Sequence, residues 1–148
     1  MTKIEQVRQE MMKALKAGDS KRKEALSLLL AALKKKNIDK RADLTEEEEN
    51  AVVFKEIKEA QEAADTAAGR ADIIEEAKLK IAVYTEFAPQ RMGEDEVKAL
   101  IQSALRELDI EKPAMSDKGK IIKAVMQQSK GLADGGMISK LVDAAIRG

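Results

Sequence analysis

The chain has 148 residues, 27 basic and 27 acidic side chains, and neither cysteine nor histidine. Its length is enough for one domain, or two small ones, with a buried core. The missing residue types exclude disulfides and thiolate metal sites and remove the commonest catalytic bases and nucleophiles. We therefore predict no catalytic residue, no metal site and no cofactor.

The charges are segregated along the chain. Residues 1–41 carry 12 Lys/Arg against 5 Asp/Glu, residues 42–114 carry 9 against 19, and residues 115–148 carry 6 against 3. Two basic regions around an acidic middle bear on partners rather than on fold. The N-terminus lacks the apolar core of a signal peptide, and no window approaches the roughly 18 apolar residues of a membrane span. We expect a cytoplasmic protein with no membrane association.

The first two predicted helices follow each other closely. The first has an apolar stripe at spacings of three and four and ends near Gly18; the stripe is Ile4, Val7, Met11 and Leu15. Asp19 or Ser20 caps the second helix. Its inner face consists of leucines, namely Leu26, Leu29, Leu30 and Leu33, widened by Leu28. Such a wide apolar face predicts that this helix is central in its bundle.

A third helix begins after Thr45, which forms a capping box with Glu48. Its inner face is narrow, consisting of Val53, Ile57, Ala60 and Ala64, and Gly69 is expected to end it. A fourth helix begins at Asp72 and carries Ile73, Ala77, Ile81 and Tyr84 on one face. Pro89 cannot continue that helix and restricts the residue before it. We therefore predict a hinge at Pro89 that separates a domain at 1–90 from a domain at 91–148.

Three further helices are predicted in the second domain. The fifth opens at Glu94 and carries Val97, Leu100, Ile101, Ala104, Leu105 and Leu108. The sixth spans roughly 117–128, with Ile121, Ile122, Val125 and Met126 as its apolar residues. The seventh begins near Asp134 and carries Ile138, Leu141, Val142 and Ala145. No segment shows sustained alternation with a period of two, so the predicted fold class is all-α.

Charged runs allow a structural and a functional interpretation. The run Glu46–Glu49 has no histidine to complete a di-metal site in a bundle, and its four side chains point in different directions around a helix. A solvated helix start is therefore favoured. The basic triplets Lys21–Lys23 and Lys34–Lys36 are suited to a phosphate backbone, but solvent-facing lysines that aid solubility are the commoner case. Only three aromatic residues are present, all at plausible core positions, which disfavours base stacking.

The segment SKGLADGGMISKLV, at 129–142, joins the last two predicted helices. It matches neither GxxxxGK[ST] nor GxGxxG and follows a helix rather than a strand, so a nucleotide-binding loop is disfavoured. Instead, we predict that Gly131 closes one helix in a left-handed conformation and that Asp134 caps the next.

A second interpretation of this turn adds an anion and is compatible with the first. Glycines in a first helical turn leave backbone amides accessible, and nearby lysines supply positive charge. The candidate RNA-binding residues are Lys120, Lys123, Lys130, Gly135 and Gly136.

Five short motifs follow one another along the chain: GRAD at 69–72, FAPQ at 87–90, DKGKIIK at 117–123, KGLADG at 130–135 and SKLV at 139–142. This series resembles the YqeY-like family over essentially the whole chain. Phe87-Ala88 stands where Tyr-Leu is usual, and Ile122 where Met is expected. Residues 94–148 are also similar to the tail domain of the B subunit of the glutamine-dependent Asp-tRNA/Glu-tRNA amidotransferase.

The resemblance implies an N-terminal helical domain and a smaller C-terminal helical domain of the GatB/YqeY type. It also implies a link to carbon–nitrogen ligase activity with glutamine as amido-N donor. In the amidotransferase, however, the tail helps to engage tRNA while the chemistry belongs to other domains. We therefore expect an accessory protein that binds RNA, namely tRNA, without catalysis. The alternatives are a module that docks on an amidotransferase or an aminoacyl-tRNA synthetase and, less favoured, an amide-transferring enzyme.

Overall fold

The computed structural model describes all residues from Met1 to Gly148 and contains seven α-helices and no strand. The helices are α1 (Lys3–Lys16), α2 (Ser20–Lys40), α3 (Glu46–Asp65), α4 (Ala71–Thr85), α5 (Glu94–Glu107), α6 (Lys118–Ser129) and α7 (Gly135–Arg147). A short 3₁₀ helix at Met115–Asp117 precedes α6. The predicted all-α fold class is therefore confirmed. None of these helices combines the length and hydrophobicity needed to cross a lipid bilayer.

The helices fall into two compact groups, which we call the N-terminal unit (Met1–Pro89) and the C-terminal unit (Gln90–Gly148). Pro89 is the last residue of the first group, and the backbone leaves α4 four residues earlier, at Thr85. The division into one domain at 1–90 and another at 91–148 stays a prediction.

The N-terminal unit consists of two helical hairpins, α1–α2 and α3–α4. Helix α2 packs against each of the other three helices, which confirms its predicted central position. The four predicted core leucines of α2, which are Leu26, Leu29, Leu30 and Leu33, are all buried. Burial of each such side chain stabilises the folded protein by about 1.5–3 kcal/mol relative to an exposed side chain.

Two predicted core positions of this unit are wrong. Leu28 is exposed because it lies about 200° around the helix from Leu26, away from the packed face. Leu15 is exposed as well, because Ala14, two turns after Val7, takes the core position instead. A pattern that counts apolar residues without fixing their angles overestimates the width of the inner face.

Side-chain caps set the helix starts in this unit. Thr45 accepts a hydrogen bond from the Glu48 amide, and the Glu48 carboxylate accepts one from the Thr45 amide, so the predicted capping box is confirmed. Asp19, rather than Ser20, caps α2 by accepting from the Arg22 amide at 3.1 Å. Helix α3 ends at Asp65, before the predicted Gly69, and Ala68 and Gly69 both take positive φ in the turn that follows.

The C-terminal unit is a bundle of three helices in which α5, α6 and α7 all contact one another. Its core comprises nine buried residues, namely Val97, Ile101, Ala104, Leu105, Ile121, Val125, Ala133, Ile138 and Val142. Two residues predicted on the apolar faces are exposed instead: Leu108, at the C-cap of α5, and Met126 on α6. Met126 lies about 100° from Val125, on the edge of the packed face.

Candidate nucleic-acid interface

Helix α6 carries lysines and no acidic residue. Its first lysine, Lys118, is half-buried and pairs with Asp143 of α7, with 2.7 Å between the Lys118 Nζ and Asp143 Oδ1 atoms. Lys120, Lys123 and Lys130 are exposed and make no ion pair. We call these three residues the basic face.

The basic face is directed away from the core of its unit. Ile121 and Val125, at most 1% exposed, mark the inward side of α6. At 100° per residue, Lys120 and Lys123 fall on the opposite side, and Lys130 follows Lys123 after about two turns. With a rise of 1.5 Å per residue, the three lysines span about 15 Å along the helix axis. This is a linear array of positive charge rather than a compact cradle.

The turn after α6 contains two left-handed residues in succession. Lys130 is the C-cap with φ 53°, and Gly131 follows with φ 79°. The Gly131 amide donates to the Met126 carbonyl at 3.4 Å, and the Leu132 amide donates to the Ser129 carbonyl at 3.0 Å. The chain therefore leaves α6 one residue earlier than a cap at Gly131 implies, and Lys130 projects from the turn itself.

The start of α7 is already occupied by a carboxylate. Asp134 is the N-cap and accepts from the Gly136 amide at 3.4 Å, while Arg91 Nη1 lies 3.7 Å from the Asp134 Oδ1 atom. Gly135 and Gly136 are both exposed, and a Cβ atom on Gly135 would meet nothing within 4 Å. The negative charge of the Asp134 carboxylate already offsets the partial positive charge at the N-terminus of α7. The amides of Gly135 and Gly136 are therefore less suited to bind an anion than the lysines of the basic face.

The lysines of α2 lie in different surroundings. Lys35 and Lys36 line a groove of about 620 Å³ between α2 and α3, which we call the α2–α3 groove. Four carboxylates line the same groove, from Asp39, Glu48, Glu56 and Glu59. The side chain of Glu56 is partly buried, which raises its pKa, and neighbouring Glu59 adds to this effect.

Lys21 of the other triplet lines a second groove, of about 520 Å³, between α2 and α4. Its acidic neighbours there are Glu24, Asp72, Glu75 and Glu76. Each groove is lined by one further lysine, Lys55 or Lys80, and carboxylates still outnumber lysines, by four to three in the α2–α3 groove and by four to two in the second. This arrangement favours the structural interpretation of both triplets over a phosphate track.

The two hairpins of the N-terminal unit have opposite charge. Residues 3–40 carry 11 Lys/Arg against 5 Asp/Glu, and residues 46–85 carry 5 against 11. Specific contacts join them: Arg22 donates to Glu86 at 2.6 Å, just beyond α4, and Lys40 pairs with Glu48. The Lys40 ammonium and the Thr45 amide lower the pKa of Glu48 to about 2. The basic residues of 1–41 that form ion pairs, which are Lys13, Arg22 and Lys40, therefore form them within this unit.

The run Glu46–Glu49 divides between solvent and structure. Glu46 and Glu47 are exposed, as a solvated helix start requires, and Glu48 is held by Lys40. Glu49 differs: it is only 8% exposed and accepts from the Lys3 amide at 2.7 Å. The solvated interpretation is thus wrong for Glu49, because this carboxylate completes the N-terminal turn of α1.

The aromatic residues are not available as stacking platforms. Tyr84 and Phe87 are buried, and Phe54 is half-buried on α3. Burial raises the pKa of Tyr84 to about 12, with Glu56 and Glu76 adding to the effect. All three residues belong to the N-terminal unit, so the basic face has no aromatic neighbour on its own helices.

Comparison with known proteins adds one finding. A family model described as Yqey-like protein matches residues 4–146. The chain belongs to the YqeY-like family. The matched residues include nearly all of the N-terminal unit and nearly all of the C-terminal unit. A search of curated proteins finds no significant match.

Proposed function

We propose that this protein binds RNA without catalysing a reaction and that tRNA is its ligand, in the context of glutamine-dependent tRNA amidotransfer. The observation that carries the proposal is the basic face: two exposed, unpaired lysines on a helix without an acidic residue, and a third, Lys130, in the turn that ends this helix. Lysines that neutralise phosphates release condensed counterions, which supplies affinity that does not depend on sequence. The link to amidotransfer rests on the similarity of residues 94–148 to an amidotransferase tail domain.

The test is the affinity of the full chain for unfractionated tRNA over a series of salt concentrations. The expected result is binding that weakens steeply as salt rises, with a slope of about −2 to −3 from three phosphate contacts. The triple variant Lys120→Glu, Lys123→Glu and Lys130→Glu is expected to lose binding altogether. Absence of binding by the unmodified protein at low salt rejects the proposal.

A matched control separates the basic face from net charge. Lys16, Lys34 and Lys58 are also exposed and unpaired, but all three lie in the N-terminal unit. Reversing these three to glutamate changes the total charge by the same amount. We expect this variant to retain most of its affinity, whereas an equal loss in both variants indicates attraction by net charge alone.

A second candidate is a module that docks on an amidotransferase or an aminoacyl-tRNA synthetase. It is favoured by the acidic α3–α4 hairpin, in which exposed carboxylates at Glu46, Glu47 and Glu62 make no ion pair. Affinity capture from cell extract, with and without nuclease, distinguishes the two functions. A partner protein that survives nuclease treatment supports docking, and loss of all captured material after nuclease supports RNA binding.

A further inference from the structure

We propose that the basic face binds an unpaired stretch of RNA and that Met126 contacts a base between the phosphates held by Lys123 and Lys130. This inference rests on the proposed function and adds two features to it: the conformation of the RNA and the residue that senses it.

Met126 lies between two lysines of the basic face, Lys123 and Lys130. It follows Lys123 by three residues and precedes Lys130 by four, which places it about 4.5 Å and 6 Å from them along the axis and on the same side of α6. Its side chain is 36% exposed although its neighbour Val125 is fully buried. An apolar side chain thus interrupts the positive array near its centre.

The surface beside Lys123 is open. Gly119 lies about one turn before Lys123 on the same side of α6, and a Cβ atom there would meet nothing within 4 Å. The absence of a side chain at Gly119 therefore leaves room next to this lysine.

The chemistry of this surface matches an RNA strand whose bases are exposed. A methionine side chain is flexible and polarisable and makes favourable contacts with aromatic rings. In a paired A-form helix the bases are stacked inside, and side chains cannot read the deep major groove, whereas unpaired bases can be splayed toward a protein. Between Lys123 and Lys130, Met126 is the one exposed apolar side chain, and the exposed Gln127 follows it. The methionine contact is expected to discriminate paired from unpaired RNA, because a paired helix keeps its bases stacked inside.

The test compares Met126→Ala with Met115→Ala in the full chain. Met115 is 65% exposed on the 3₁₀ helix, outside the basic face, and serves as the control. The two probes are oligouridine and a fully paired duplex RNA of the same length. We expect Met126→Ala to weaken oligouridine binding about three- to tenfold, the loss of one apolar contact, while Met126→Leu restores most of the affinity.

The salt dependence separates this contact from the phosphate contacts. Met126→Ala is expected to leave the slope of affinity against salt unchanged, because it removes no charge, and to leave duplex binding unchanged. Equal effects of Met126→Ala and Met115→Ala, or an equal loss on duplex RNA, overturn the inference but not the proposed function. Absence of tRNA binding by the unmodified protein rejects the proposed function and the inference with it, whereas retention of tRNA binding by the triple glutamate variant rejects the basic face as the binding site and so overturns the inference alone.

Discussion

The lysines of α2 and the lysines of α6 are alike in type and exposure but differ in their neighbours. Lys35 and Lys36 line a groove with four carboxylates, whereas Lys120 and Lys123 lie on a helix that has none. The first pair therefore has a source of attraction within its own unit. The second pair has no such partner and is free to bind a ligand of opposite charge. Density of positive charge along a sequence is thus a poor guide to binding until the facing residues are known.

The largest contrast is expected from reversing each pair. The double variant Lys120→Glu, Lys123→Glu loses roughly two phosphate contacts, so its affinity for tRNA should fall about tenfold or more. Its free energy of unfolding should change by less than about 0.5 kcal/mol. Lys35→Glu with Lys36→Glu should leave tRNA affinity unchanged and lower the free energy of unfolding by about 1 kcal/mol, through repulsion in the α2–α3 groove. Filter binding and urea unfolding measure the two effects. Similar behaviour of both variants contradicts the comparison.

A smaller contrast concerns the residues that end these helices. Arg41 at the end of α2 and Lys130 at the end of α6 both have left-handed backbones, with φ of 59° and 53°. Replacement by glycine relieves the strain of the Cβ atom, so each variant should gain about 0.5–1 kcal/mol in the free energy of unfolding. Only Lys130→Gly should also weaken tRNA binding and flatten its salt dependence. A loss of affinity in Arg41→Gly extends the binding surface to the N-terminal unit.

The smallest effect is a dependence of stability on pH at the Lys40–Glu48 pair. The pKa of Glu48 is lowered from 4.5 to about 2 in the folded protein. A lowered pKa means that the carboxylate stabilises the fold above pH 4.5 and that this contribution is lost as pH falls toward 2. Glu48→Gln retains an N3 residue suited to a capping box, so its stability should differ from that of the unmodified protein at pH 6 and converge with it in acid.

Urea unfolding at several pH values measures this difference. Glu47→Gln is the control, since Glu47 is exposed in the same helical turn and makes no ion pair. A difference that persists unchanged at pH 2 shows that the hydrogen-bonding geometry of Glu48, rather than its charge, stabilises the start of α3.

The fold was largely predictable because its signals are local. Helix starts at Thr45 and Asp19 follow from side chains that reach amides three residues away, and the leucines of α2 follow from helical periodicity. The errors occurred where one helix position competes with another, as at Leu15 and Ala14. A periodic pattern defines the direction of the core but not which of two adjacent residues reaches it.

The candidate interface was predictable only in part. The lysines of the basic face are identifiable from the sequence, whereas apolar type alone does not separate the exposed Met126 from the buried Ile121 and Val125 of the same helix. The Asp134 cap of α7 follows from its local position and is confirmed, but the ion pair of Asp134 with Arg91, 43 positions earlier, was not predicted. A contact between residues so far apart in the chain has no local signature.

The amino-acid sequence by itself determined the seven helices, most of their caps and the segregation of charge, because hydrogen bonds and side-chain angles within a few residues decide all three. The tertiary structure alone decided which charges are balanced. Packing placed the carboxylates of α3 and α4 beside the lysines of α2 and Asp143 of α7 beside Lys118, whereas Lys120 and Lys123 of α6 make no ion pair. Since electrostatic interaction depends on distance in space rather than along the chain, only the folded structure separates the three lysines of the basic face, already candidates in the sequence, from the lysines of α2 that lie beside carboxylates.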